Sequence, residues 1–120
     1  MKLLYSRNPN PRLAVATARQ LRAPVAFEFA APLAPGQAER YRPLNPALRL
    51  PILVMDDGSS LWEADAIACR LARATGSTFW RQGDAEPRVN QWLRGGKENF
   101  VRACDIVQFE RVNRQSYRLG

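Results

Sequence analysis

The chain has 120 residues, 46% of them hydrophobic, with a formal net charge of +7 and no histidine. That is enough for one packed domain and part of another without disulfides or metals to hold the core. Lacking histidine, the chain has no Ser-His-Asp or Cys-His nucleophile and no His-ligated metal, and its two cysteines, Cys69 and Cys104, leave too few ligands for zinc.

No apolar run approaches the ~20 residues of a membrane span. Met1-Lys2-Leu3 enters a strand rather than a leader, so a cytoplasmic protein is the expectation. Cys69 and Cys104 lack CxxC spacing and fall on predicted helices, where they read as small buried apolar residues rather than a disulfide. Sixteen of the eighteen basic residues are arginine, spread from Arg7 to Arg118 without a cluster or a paired-aromatic RNA signature. This suits a solvated surface and an anionic small ligand better than nucleic acid.

In chain order, residues 2–6 read as a short buried strand. Asn10 suits an N-cap and Pro11 the first helical position, where a missing N–H costs nothing. The helix is predicted to reach about Leu21, with Leu13, Ala14, Thr17, Ala18 and Leu21 on its buried face, and Arg22-Ala23-Pro24 stops it. Residues 25–29 alternate as a half-buried strand does, and a right-handed crossover makes the two strands parallel. Residues 30–44 are mostly connection, with a helical turn over 37–41.

Ile52-Leu53-Val54-Met55 and Ser60-Leu61-Trp62 flank Asp56-Asp57-Gly58-Ser59, a strong hairpin signal. A helix then opens at Glu63-Ala64-Asp65, carries Ile67, Leu71 and Ala74 at helical spacing, and ends at Gly76. After a polar linker, Glu86-Pro87 starts another helix with an apolar stripe at Val89, Trp92, Leu93, Phe100, Cys104 and Val107. Trp92 and Phe100 read as core, and Gly95-Gly96 predicts a kink. Residues 114–120 show no apolar pattern.

The order strand-helix-strand, then strand-strand-helix, predicts an α/β thioredoxin-like fold with a mixed four-stranded sheet, followed by the start of an all-α domain. The expected division is a domain over 1–76, a linker over 77–85 and an incomplete helical domain over 86–120. Asn45-Pro46, Arg49-Leu50-Pro51, the hairpin and Glu63-Ala64-Asp65-Ala66-Ile67 together resemble the N-terminal domain of the glutathione transferases. One departure stands out: Ala64 occupies the family's serine position.

The resemblance implies a glutathione site. Arg49 would face the glycyl carboxylate, and Leu50, before a cis Pro51, would pair its backbone with the cysteinyl unit. The helix start at Glu63, Ala64 and Asp65 would take the γ-glutamyl carboxylate, with Glu63 or Asp65 holding the ammonium; both acids would equally complement the helix dipole. For a sulfur-activating donor the first loop offers Asn10, Ser6 and Asn8, with Asn10 similar to the Pro-Asn of asparagine-type relatives. The loop has no cysteine for dithiol exchange. The family reaction joins glutathione to an electrophilic small molecule, with no metal. Family members continue into an all-helical domain, which makes them about twice this length, and they form homodimers. Leu61, Trp62 and the 66–73 helix face are the candidate contacts here. The alternative is a non-catalytic transferase-like interaction module, which the Ala64 departure favours.

Overall fold

The computed structural model describes residues 1–113; the stretch 114–120 lies outside them. The described residues divide into two units, Met1–Trp80 and a second that begins at Arg81. Among the described residues, no helix is long and apolar enough to cross a membrane.

In the first unit, strands β1 (Lys2–Tyr5), β2 (Ala26–Phe29), β3 (Ile52–Val54) and β4 (Ser60–Trp62) make one sheet in the order β2-β1-β3-β4. The β1–β2 pair is parallel and the other two pairs are antiparallel. Helices α1 (Pro9–Gln20), α2 (Ala38–Tyr41) and α3 (Ala64–Ala74) complete the thioredoxin-like order. Successive strand residues face opposite sides, so two cores form. Leu3 and Leu53 pack with Ala14, Ala18, Ala64, Ile67 and Leu71 of α1 and α3. Leu4 and Ile52 pack on the other face with Ala30 and Tyr41. The consecutive Ile52 and Leu53 are both fully buried because β3 is an inner strand covered on both faces.

Local departures from the sequence reading have physical reasons. Helix α1 starts at Pro9, so Asn8 (φ −69°, ψ 159°) and not Asn10 is the N-cap. Both prolines fit in the first turn, where their missing N–H groups have no helical partner to lose. The first helical bond runs from the Arg12 N–H to the Asn8 carbonyl at 3.1 Å. Leu13 is 50% exposed rather than buried. The inward stripe is Pro11, Ala14, Thr17 and Ala18, and Leu13 sits one step, about 100°, away from it.

Strand β2 is not half-buried either: Phe27 and Phe29 are exposed on this edge strand, while α1 packs over β1 and α3. Glu28 of β2 accepts from Lys2 at 2.8 Å and from Arg40 at 2.7 Å, tying β2 to β1 and α2. The Lys2 hydrogen bond leads in holding the Glu28 carboxyl below its ordinary 4.5, with further help from the Lys2 and Arg40 charges. A depressed carboxylate contributes stability above its unfolded pKa and loses it as pH falls through the folded value. Glu28→Gln is therefore expected to cost up to about 1 kcal/mol at neutral pH, for a pair so near the surface. In urea unfolding, its gap from the parent should close as pH falls below the ordinary carboxylate range.

In the second unit, α4 (Glu86–Gly95) runs into a π-helical stretch over Gly96–Val101, then α5 (Arg102–Gln108) and a π-helical turn over Phe109–Asn113. The glycine pair changes the hydrogen-bond register without breaking the helix: Gly95 (φ −59°, ψ −44°) and Gly96 (φ −64°, ψ −43°) keep helical angles. Asn99 Nδ2 donates to the Gly95 carbonyl at 2.8 Å, a partner at the point where the register shifts. Trp92 and Phe100, expected in the core, are 74% and 72% exposed, because the described residues of this unit follow one another as successive helical segments and bring no second layer over them.

Candidate functional site

The sheet register brings the candidate segments to one end of the first unit. Leu4 pairs with Ile52, and Ile52 pairs with Trp62, so these residues form one row across β1, β3 and β4. One step beyond that row lie Tyr5, Pro51 and Glu63. Adjacent strands are spaced about 4.8 Å apart. The exit of β1, the entry of β3 and the exit of β4 therefore open together, with the starts of α1 and α3 following two of them.

The β3 entry is built by Asn45, which is only 2% exposed. Its Oδ1 accepts from the Ala47 N–H at 3.0 Å, an Asx turn, and its Nδ2 donates to the Arg49 carbonyl at 3.0 Å. Leu48 turns through a positive φ of 54°, and the Ser60 hydroxyl donates to the Leu44 carbonyl at 2.7 Å, fastening this loop to β4. The Leu50–Pro51 peptide bond is cis and Pro51 is buried. Among the described residues, no backbone hydrogen bond uses the Leu50 N–H or C=O. The Arg49 side chain points into solvent, and no carboxylate among the described residues pairs with it.

On the other side of Pro51, Glu63 is the N-cap of α3 with φ 75° and ψ 125°, in a region that side chains rarely adopt. Such a backbone costs about 1–3 kcal/mol and is held by its surroundings. Here it turns the chain from β4 into α3 within one residue. The first N–H groups of α3 have no helical acceptor, and they point out of the same end. Asp65 is half-buried in this first turn. Ala64 is buried, its methyl facing Leu3, Leu53 and Ile67 in the core.

From the β1 exit, Ser6 is half-buried, Asn8 is exposed, and Asn10 is half-buried in the first turn of α1. The Asn8 N–H reaches the Ser6 hydroxyl only at 3.5 Å. Ser6 thus lies beside the β3 entry, Asn8 lies further along the same loop as the N-cap of α1, and Asn10 follows in the helix. In the sequence, the only signal for this loop-building role of Asn45 is its place before Pro46, since Asn-Pro favours a turn start. Nothing in the sequence marks Glu63 for a positive φ. Among the described residues, no group of three or more potential ligand side chains forms a metal site.

The four-stranded β2-β1-β3-β4 sheet with its helices matches solved structures. An unclassified glutathione S-transferase from Bombyx mori is 33% identical, with a TM-score of 0.61 over 78% of this chain and 45% of that one. The chain has the glutathione S-transferase fold. A glutathione S-transferase from Xanthobacter autotrophicus Py2 extends the match to 98% of this chain and 58% of its own, at 20% identity and a TM-score of 0.79. Ure2p in complex with glutathione matches over 92% and 55%, at 21% identity and a TM-score of 0.76. The chain therefore spans roughly half the length of these glutathione transferase-fold proteins. No family model matches the sequence, and a comparison with curated proteins returns no match.

Proposed function

We propose that the chain binds glutathione between Arg49-Leu50-Pro51 and the α3 start, and presents its thiol to an electrophilic small molecule. The observation that carries this reading is the single row Leu4–Ile52–Trp62, which gathers the cis Leu50–Pro51 bond and the strained Glu63 at one sheet end. That Ure2p, of the same fold, was solved with glutathione supports it. Arg49 offers a planar fork to the glycyl carboxylate. The Leu50 N–H and C=O would pair with the cysteinyl unit as an extra strand does. The N–H groups of α3 would receive the γ-glutamyl carboxylate, with Glu63 or Asp65 against the ammonium.

A free thiol has a pKa of about 8.5, so a donor to the sulfur is needed to enrich the thiolate at neutral pH. Asn10 is our first choice, with Ser6 and Asn8 behind it. The thiol proton would pass to solvent, and the thiolate pair would form the bond to the electrophilic carbon as a leaving group departs from that carbon with its own electron pair. A homodimer through Leu61, Trp62 and α3, in the cytoplasm, belongs to the same proposal.

Calorimetric titration with glutathione tests it. Arg49→Ala is expected to weaken binding by about 10- to 150-fold, the worth of a hydrogen-bonded charge, while leaving stability unchanged. Equal affinity in parent and variant would overturn the site. One observation favours a second reading, a non-catalytic interaction module: Ala64 offers the core a methyl and the ligand no hydroxyl. No saturation at millimolar glutathione is the result that reading expects.

A further inference from the structure

A groove of about 630 Å³ runs along α1 from the exit of β1, within the first unit. We propose that it binds a planar aromatic anion, which would deepen the glutathione reading by naming the class of its second ligand. From α1 come Arg12, Val15, Ala16 and Arg19, at i, i+3, i+4 and i+7, so they share one face of the helix. The two arginines are about 10 Å apart along the axis, with the apolar pair between them. Tyr5 and Arg7 close the other side. The ligand space is thus apolar in its middle and cationic at its ends.

Two observations select the occupant. Among the described residues, no carboxylate pairs with Arg7, Arg12 or Arg19, so these guanidiniums are available to an anion. Arg19 instead lies over the Phe27 ring, 5.5 Å from its centroid. The groove is also continuous with an aromatic surface. Tyr5 meets Phe27 and Phe29 edge-on, with centroids at 6.4 Å and 5.9 Å and planes at 87° and 88°. Flat rings can lie against such a surface, and guanidiniums both stack on rings and fork onto carboxylates or sulfonates. A compact inorganic anion would leave the apolar middle unfilled, and a neutral arene would leave the arginines unanswered. Ser6 also lines the groove, so an occupant sits beside the loop assigned above to the sulfur.

The test titrates the whole chain with 2,6-naphthalenedicarboxylate, an acid group at each end of a flat ring system, and, separately, with neutral 2,6-naphthalenedimethanol, both without glutathione. The acid is expected to saturate with an affinity about tenfold or more above the alcohol's, as fits a charge-assisted hydrogen bond. Arg12→Gln and Arg19→Gln should each weaken the acid by about tenfold and leave the alcohol unchanged. Arg42→Gln, the same charge change at an exposed position after α2, should leave both unchanged. Circular dichroism confirms that each variant is folded. Equal affinity for acid and alcohol, the same loss in Arg42→Gln as in Arg12→Gln, or no saturation by the folded parent would each overturn the groove assignment. A glutathione titration of the same samples separates the two claims: dicarboxylate binding without glutathione binding sinks only the earlier reading, and the converse sinks only this one.

Discussion

Asn45→Ala is expected to lose about 2–4 kcal/mol of stability, since it strips partners from two backbone groups and hollows a buried position. For a unit of this size that lowers the melting temperature by about 10 °C or more. The expectation follows from one side chain closing a loop at two points. Its Oδ1 holds the Ala47 N–H and its Nδ2 holds the Arg49 carbonyl, each at 3.0 Å. With both gone, the turn at Leu48, already at positive φ, has less to hold it, and Arg49 loses its fixed approach to the site. Glutathione affinity should fall in the same variant, by loosening rather than by lost charge.

A comparison with Arg49→Ala distinguishes those causes. The arginine change is expected to move affinity alone, and the asparagine change to move both affinity and melting temperature. Asn45→Asp sharpens the contrast. It keeps the acceptor for Ala47 but turns a second oxygen toward the Arg49 carbonyl, so the variant should recover stability as its carboxyl protonates at low pH. Thermal melts across pH read this directly. Loss of affinity in Asn45→Ala at unchanged melting temperature would mean that the side chain touches ligand and does not build the loop.

Much of this fold was legible from period and punctuation. The hairpin followed from apolar runs around Asp57-Gly58, and the turn closes there with Gly58 at φ 84°. Helix α3 followed from Ile67 and Leu71, both fully buried. What misled were features that tertiary context decides. Two prolines a residue apart left the α1 start open by two positions, and the narrow stripe against α3 excluded Leu13 although its chemistry suits a core. Phe27 and Phe29 look buried in any alternating strand, yet β2 is an edge that α1 leaves partly bare. Trp92 and Phe100 carry a core-like spacing on successive helical segments over which the described residues of that unit bring no second layer.

The candidate site was legible in its parts and not in its assembly. Arg49, Leu50 and Pro51 stand out by pattern, and so do Glu63 to Asp65. Only the strand register shows that these segments, with Ser6, open at the same sheet end. Hydrogen-bond register depends on pairing between distant segments, which local periodicity does not encode. The same applies to Glu63, whose positive φ is imposed by joining β4 to α3 in one step.

Ala64→Ser carries the second large effect, and its two readouts should move in opposite directions. Ala64 is 6% exposed and packs with Leu3, Leu53 and Ile67, so a hydroxyl there enters a largely apolar space. Burying a hydroxyl without a partner costs about 1–3 kcal/mol, and the free protein should melt lower. Ala64 is also the first residue of α3, where the N–H groups assigned to the γ-glutamyl carboxylate begin. A ligand carboxylate would give the hydroxyl its missing partner, and the bond would exist only in the complex. A hydrogen bond to a charged group should therefore raise glutathione affinity by about 10- to 150-fold. Because ligand stabilisation grows with [L]/Kd, the rise in melting temperature on adding glutathione should be larger in this variant than in the parent. Ala64→Gly is the control: it loses the core methyl without supplying a hydroxyl, so it should melt lower and gain nothing from ligand. If Ala64→Ser behaves like Ala64→Gly in both measurements, the γ-glutamyl carboxylate does not bind at the α3 start. The Glu63–Asp65 half of the site would then fall, while the Arg49 half would stand or fall on its own titration.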